Sequence, residues 1–309
     1  MVEFGVTRRS SMIVLVATIQ KVDEVIYHFL NGFAGHSWLD YFANFEENDN
    51  LLKGGIFLAA YWYFWFRPGA EQERRRRAIV AILAASLLAL VAARVIANFA
   101  PFRVRPMYDL RLEHHAYSFP VSPRLVHWSS FPSDNATFFF ALAFGLAYLS
   151  RRLAVPAMLY TAVWVCLPRT FLGVHYASDV AGGAAIGIAL VWVCLKVEWF
   201  QARLGACAGS LVDARPEVFY AIAFLASFEM AVLFDDVRGT GSGLAHFLSA
   251  GSHRDAALAG LGALAALCLV ALTVLFLSVI HRRTGPVRGN LVDPTDRGAM
   301  PANPKTASS

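Results

Sequence analysis

Long apolar segments alternate with short polar segments along most of the chain. The apolar segments predict seven membrane crossings, at residues 51–66, 78–99, 134–150, 154–173, 180–197, 217–234 and 258–280. A helix needs about 20 residues to cross the hydrocarbon core, so several of these segments are near the short end of the range. The pattern therefore predicts an all-α fold, a polytopic membrane helical bundle of about six to seven transmembrane helices.

The N-terminal segment is different, because its apolar positions are interrupted by charge. Residues 12–34 carry Lys21, Asp23 and Glu24, and the apolar run 12–19 is too short to cross a membrane. This pattern favours an N-terminal interfacial amphipathic helix, with a spanning helix as the alternative.

Composition supports a membrane protein. Of 309 residues, 57% are hydrophobic and only 16% are charged, which excludes an ordinary soluble domain. The net charge of +5 comes largely from arginines at segment ends, which indicates membrane topology rather than nucleic-acid binding. The cysteines are predicted to be packing residues, and no His/Cys ligand spacing is present, so neither a metal nor another cofactor is expected. They are Cys166, Cys194, Cys207 and Cys268.

The basic loops predict the orientation. Arginines occur in the segments 67–77, 151–152 and 282–283, which all lie on one side if the crossings alternate. The positive-inside rule makes that side cytoplasmic. The other side, in a bacterial inner membrane, is the periplasm.

Three polar clusters at segment ends fall on that other side. One holds Arg169, His175 and Asp179, and the spacing of four between the last two would place them on one face of a helix. There a carboxylate would fix the imidazole tautomer and leave the other nitrogen free as a nucleophile or base. An ordinary polar pair at a helix start is the alternative interpretation.

The remaining two clusters contain Arg103-Val-Arg105-Pro106 and Ser130-Phe-Pro132-Ser133-Asp134-Asn135. Arginine suits forked contacts to phosphate oxygens. Ser133 is predicted to be a helix N-cap, where its hydroxyl and the free N–H groups behind it would form an anion site. The combined set suits binding a phosphate and attacking it.

The order of these blocks resembles the type 2 phosphatidic acid phosphatase family, membrane relatives of the vanadium haloperoxidases. That family shows Lys-x6-Arg-Pro, then Pro-Ser-Gly-His, then Ser-Arg-x5-His-x3-Asp. The matching blocks span residues 94–179, and the apolar layout extends the likeness over roughly 20–197. The resemblance implies that His175 is the nucleophile and Asp179 its orienter. It also implies that Arg105, Arg169 and Ser133 hold the phosphate.

The chain departs from the family pattern at several positions. Asn98 stands in place of the lysine, Asn135 in place of the histidine that protonates the leaving oxygen, and Pro168 in place of a serine. Arg94 lies one helical turn before Asn98 and is predicted either to supply the lost charge or to serve packing. Asp134, beside Ser133, joins the predicted phosphate site.

The resemblance implies a membrane phosphatase acting on a lipid phosphate or diphosphate. The missing acid at Asn135 favours a polyprenyl diphosphate such as undecaprenyl diphosphate, because a diphosphate needs no proton donor for its leaving group. A lipid phosphotransferase and a catalytically impaired lipid-phosphate-binding relative are the alternatives. The predicted partners are the bilayer and a lipid substrate, with no nucleic acid and no metal. The predicted organisation is an N-terminal segment 1–50, a catalytic membrane core 51–200, two further transmembrane helices in 201–283 and a disordered tail 284–309.

Overall fold

A computed structural model of the chain describes residues 2–119 and 125–233, with side chains from residue 14 onward. These residues form helices and helical turns and contain no strand, which confirms the predicted all-α class. The α-helices are α1 (Val2–Asn31), α2 (Ser37–Asn48), α3 (Ile56–Phe66), α4 (Gln72–Phe99), α5 (Asp134–Leu149), α6 (Ala154–Tyr160), α7 (Leu167–Phe171), α8 (Ala177–Lys196), α9 (Glu198–Ala214) and α10 (Pro216–Ala231).

Three helical segments are long and apolar enough to cross a membrane, by length and composition: Gln72–Phe99, Arg151–Phe171 and Ala177–Lys196. The second is continuous from a 3-10 turn through α6, a π-helical turn (Thr161–Cys166) and α7. α5 is an apolar helix of 16 residues. Among the other predicted crossings, 51–66 contains a π-helical turn (Leu51–Gly55) and α3, and 217–234 overlaps α10. The crossing at 258–280 and the tail from 284 lie outside the described residues.

Small residues let α5 and α8 pack closely. A Cβ atom on Gly187 would lie 2.0 Å from the carbonyl oxygen of Thr137, and one on Gly183 would lie 2.6 Å from the carbonyl oxygen of Ser133. Only glycine permits backbones to approach this closely. The contact brings the start of α5 against the start of α8, where the backbone N–H of Ser133 donates to the carbonyl oxygen of Asp179 over 3.2 Å.

α4 separates the basic loop from the predicted site. Its first turn contains the arginine run 74–77, whereas Arg94 and Asn98 lie near its other end. At about 1.5 Å per residue the two groups are roughly 30 Å apart. This is the separation that the predicted orientation requires.

Two helices were missing from the sequence prediction. No helix was predicted between residue 34 and the first crossing at residue 51, yet α2 occupies most of this interval. Asp40, Ala43 and Glu46 form the buried face of α2, so its inward stripe is partly charged and does not show an apolar period. α9 fills the predicted connection after 197 and packs Gly205 against the side chain of Arg77.

Candidate active site

His175 lies at the centre of the site. It is 2% exposed and precedes α8, whose N-cap is Tyr176. Its Nδ1 lies 2.8 Å from the carbonyl oxygen of Ser130. A carbonyl only accepts hydrogen bonds, so a neutral His175 carries its proton on Nδ1 and keeps a lone pair on Nε2. Nε2 lies 3.4 Å from Nη1 of Arg105.

The pKa of His175 favours the neutral ring. Burial, followed by the positive charges of Arg169 and Arg105, lowers this pKa well below its usual 6.5. Arg94 acts in the same direction. Guanidinium groups from α4, from α7 and from the loop before Pro106 therefore surround one imidazole, and this surplus of positive charge suits an anionic ligand.

The predicted geometry of His175 and Asp179 is wrong in one respect. Because α8 begins only at Ala177, the two residues do not share a helix face, and Nδ1 of His175 is 3.9 Å from the Asp179 carboxylate. Asp179 instead accepts hydrogen bonds from the hydroxyl of Ser130 and, over 2.8 Å, from the backbone N–H of Tyr176. Its effect on His175 therefore passes through Ser130, whose carbonyl accepts from the ring.

Arg103 and Asp23 complete this network. Arg103 was predicted only as a member of a phosphate-binding cluster, and Asp23 had no predicted role. Arg103 forms ion pairs with both Asp179 and Asp23, the latter at 2.6 Å, and lies over the ring of Tyr176. Asp23 also accepts from the backbone N–H of Ser178 over 2.9 Å and from its hydroxyl over 2.5 Å. Asp23 is one of three charged residues in the segment 12–34, with Lys21 and Glu24, and nothing in that pattern distinguishes it as a site residue.

Arg105 is held by the backbone around it. Its guanidinium donates to the carbonyl oxygens of Val174 (2.8 Å), Trp128 (3.2 Å) and Ser129 (3.2 Å). Burial, and then the neighbouring Arg169, lowers its pKa to about 10, so it remains charged at neutral pH. These three hydrogen bonds fix the guanidinium group of Arg105, and its positive charge, beside Nε2 of His175.

Arg169, the other predicted phosphate ligand, has an acidic partner that the sequence analysis missed. It is 8% exposed, and its Nη1 pairs with the carboxylate of Glu47 in α2. The ammonium group of Lys53, in the turn that follows, donates to the backbone carbonyl of Glu47. A buried charged cluster from α2, α7 and this turn therefore adjoins His175.

Ser133 is the N-cap of α5, as predicted, and its hydroxyl accepts from the backbone N–H of Ala136 over 3.4 Å. Asp134 pairs with Arg94, which also lies over the ring of Trp128 with its Cζ atom 4.9 Å from the ring centroid. Arg94 therefore packs on an aromatic ring and is paired with a carboxylate, while its predicted role in place of the lysine stays a prediction. Asn135 is buried in the first turn of α5.

Asn98 differs from the other predicted site residues. It is exposed near the end of α4, one turn beyond Arg94, and no hydrogen bond described for the site involves it. Within residues 2–119 and 125–233, no cluster of three or more His, Cys, Asp or Glu side chains is arranged to hold a metal.

Three comparisons show what this chain is similar to. The PAP2 superfamily profile matches residues 78–203, a range that includes every predicted site residue but not Asp23, Glu47 or Lys53. A bacitracin transport permease protein, BcrC, from Bacillus licheniformis is 28% identical over 151 residues, covering 48% of this chain and 68% of that protein. The crystal structure of LpxE from Aquifex aeolicus matches at 27% identity and a TM-score of 0.39, covering 55% of this chain and 92% of that one. The motif residues lie inside the matched range, so the segment 78–203 of this chain is similar to the PAP2 superfamily.

Proposed function

We propose that the protein hydrolyses a lipid phosphate or diphosphate through a phosphohistidine at Nε2 of His175. The single observation that carries this proposal is the contact of Nδ1 with the Ser130 carbonyl, which directs the lone pair of Nε2 toward Arg105. Nε2 forms a bond to phosphorus as the bond to the leaving oxygen breaks. Water then attacks phosphorus, the N–P bond breaks, and phosphate leaves with His175 restored.

The phosphate is held by preorganised positive charge. Arg105 and Arg169 supply guanidinium donors, and Ser133 supplies its hydroxyl at the start of α5. Arg94 contributes through Asp134, while Asn98 stands further out on α4. Such donors stabilise the equatorial oxygens of the transferring group most strongly in a dry site, since little water screens them.

Asn135 favours a diphosphate substrate. Expulsion of an alkoxide from a lipid monophosphate requires a proton, whereas a phosphate monoester leaves a diphosphate as a stable anion. A positioned acid typically contributes about 10²–10⁴-fold in rate, and the asparagine amide is not such an acid. A polyprenyl diphosphate such as undecaprenyl diphosphate is therefore the favoured substrate.

The proposed location is the bacterial inner membrane, with several crossings and the site facing the periplasm. It is supported by the separation along α4 between the arginine run 74–77 and Arg94. The core 51–200 then carries the nucleophile and the phosphate-binding residues, the segment 1–50 adds an interfacial helix, and 201–283 adds further crossings.

Purified full-length protein in detergent should release phosphate from lipid diphosphates and, more slowly, from lipid monophosphates. His175→Ala should abolish release, and rapid quenching of the wild type should trap an acid-labile phosphohistidine. His36→Ala, at an exposed histidine outside the site, is the control. If His175→Ala keeps a tenth of the wild-type rate, the nucleophile assignment is wrong. Binding of lipid phosphates without any release would identify the non-catalytic relative instead.

A further inference from the structure

Buried polar atoms without hydrogen-bond partners lie beside Arg169. Glu46 is 0% exposed, and neither of its carboxyl oxygens has a hydrogen-bond partner. Nε of Arg169 is also buried and unpartnered, and the two residues interact electrostatically. Because folded proteins normally satisfy buried donors and acceptors, this pair indicates a place that a polar ligand completes.

An apolar groove of about 290 Å³ adjoins Glu46. It runs between α1, α2 and the segment that ends in α7, and Glu46 is the one ionisable residue among those that line it. Pro168 and Phe171, which flank Arg169 in the chain, belong to the same lining. A molecule in this groove with one end at Arg169 has a hydrocarbon part and an anionic part. That is the chemistry of a lipid phosphate.

Glu46 can hold a proton at this position. Burial raises the pKa of Glu46 to about 7, with Lys53 lowering it and Glu47 raising it. Further charged or titratable groups around it are Arg169, Asp49 and Tyr160. A carboxyl group whose pKa is about 7 is protonated in about half of the molecules at neutral pH, and a pKa near the working pH is what general acid catalysis favours.

We propose that Glu46 is the leaving-group acid of this site, in place of the histidine that Asn135 replaces, for a lipid whose chain lies in the apolar groove. The proposal rests on the proposed phosphohistidine mechanism and changes one part of the proposed function: with Glu46 as the acid, the asparagine at position 135 no longer excludes efficient hydrolysis of a monophosphate. Lipid monophosphates become substrates whose turnover depends on Glu46, while diphosphates need its proton much less.

The step balances without any further reactant. As Nε2 of His175 bonds to phosphorus, the P–O bond to the lipid breaks, and the lipid oxygen takes the proton of Glu46 to become an alcohol. The water that then attacks the phosphohistidine gives a proton to the Glu46 carboxylate. The products are a lipid alcohol and inorganic phosphate, with both side chains restored.

Other candidate donors are less suitable. Asn135 has an amide that does not release a proton at neutral pH. His127 is exposed, and His114 is engaged with the hydroxyl of Tyr27 at 3.2 Å. Glu47 is already the ion-pair partner of Arg169.

The decisive variant is Glu46→Gln in the full-length protein, since glutamine keeps the shape and an N–H donor but releases no proton. Hydrolysis of a long-chain lipid monophosphate should fall by about 10²–10⁴-fold in kcat. Hydrolysis of a lipid diphosphate, and of p-nitrophenyl phosphate with its stable leaving anion, should fall far less. Monophosphate turnover by the wild type should also decline as the pH rises through about 7, and the variant should lack this decline.

Asp40→Asn is the matched control, because Asp40 is a buried carboxylate on the same helix that accepts from Gly35 and Ser118. It should leave the ratio of monophosphate to diphosphate rates unchanged. Adding Asn135→His to Glu46→Gln should restore monophosphate turnover, which repair of a merely structural defect would not do. Equal losses on all substrates in Glu46→Gln, or no rescue, overturn the role of Glu46 while leaving the phosphatase intact. A wild type that hydrolyses none of these substrates refutes the phosphatase and this inference together.

Discussion

The backbone carbonyl of Ser130 lies 2.8 Å from Nδ1 of His175, while the hydroxyl of the same serine donates to the carboxylate of Asp179. One residue therefore connects the predicted nucleophile to the predicted orienting acid. Because the acceptor of the ring proton is a backbone atom, replacing the serine side chain leaves that hydrogen bond in place. A variant at Ser130 therefore removes the contact with Asp179 while the hydrogen bond of the His175 ring to the backbone carbonyl remains.

Ser130→Ala and Asp179→Asn should act on the same step. Each should lower kcat, by about 10-fold for Ser130→Ala and more for Asp179→Asn, with KM nearly unchanged because the arginines still hold the phosphate. The double variant should be no worse than Asp179→Asn alone, since neighbours in one network are not additive. Rate losses that multiply in the double variant would contradict the connection through Ser130.

Asp23→Asn should show that α1 belongs to the catalytic unit. Asp23 is 2% exposed and accepts from Arg103 and from both donors of Ser178. Loss of charged hydrogen bonds of this kind should destabilise the protein by about 2 kcal/mol, measured as a lower Tm in detergent, and should lower kcat. Glu73→Gln, which removes an exposed ion pair with Arg77 at the other end of α4, should change neither quantity.

The pH dependence of diphosphate cleavage should not follow an ordinary histidine. The reaction needs neutral His175, and burial lowers its pKa well below 6.5, so the rate should hold as the pH falls through 6.5. The unfolded chain takes up a proton there while the folded protein does not, so stability should decrease as the pH falls below 6.5. A rate that halves at pH 6.5 in step with His175 protonation would contradict the buried neutral ring.

Gly187→Ala should disrupt the contact of α5 with α8, because its Cβ would lie 2.0 Å from the carbonyl oxygen of Thr137. Overpacking typically costs about 1–3 kcal/mol, and here the obstacle is backbone, so the loss in Tm should be at the upper end. Gly209→Ala is the matched control, since its Cβ would meet only the flexible carboxylate of Glu73 at 3.9 Å. Equal thermal stability of the two variants would show that α5 and α8 tolerate separation.

The proposed topology can be tested at Leu110, which is 96% exposed in the loop beside the site. Leu110→Cys in a background without the natural cysteines should react with a membrane-impermeant thiol reagent in intact bacterial spheroplasts. Arg151→Cys, at the opposite end of α5, should react only after lysis. The reverse pattern would place the site in the cytoplasm.

Several features of this protein follow from its sequence alone. Long apolar segments fix an all-α chain, because backbone polar groups in lipid must be satisfied within helices. The candidate site residues can be found from motif spacing, because they lie in short blocks at the ends of apolar segments. They are Arg105, Ser133, Arg169, His175 and Asp179. The N-cap role of Ser133 is likewise local, because it depends only on the turn that follows it.

Only the tertiary structure shows which contacts connect these motif blocks. Because α8 begins only at Ala177, His175 lies outside the helix, and its ring N–H donates a hydrogen bond to the carbonyl oxygen of Ser130 in another segment. The network around the site also includes Asp23, Arg103 and Glu47. They join it through ion pairs between residues far apart in the chain, and such pairs leave no periodic pattern in the sequence. α2 was not predicted because its buried face carries Asp40 and Glu46 and therefore shows no apolar period. These charged side chains are buried only because α2 packs against the rest of the fold.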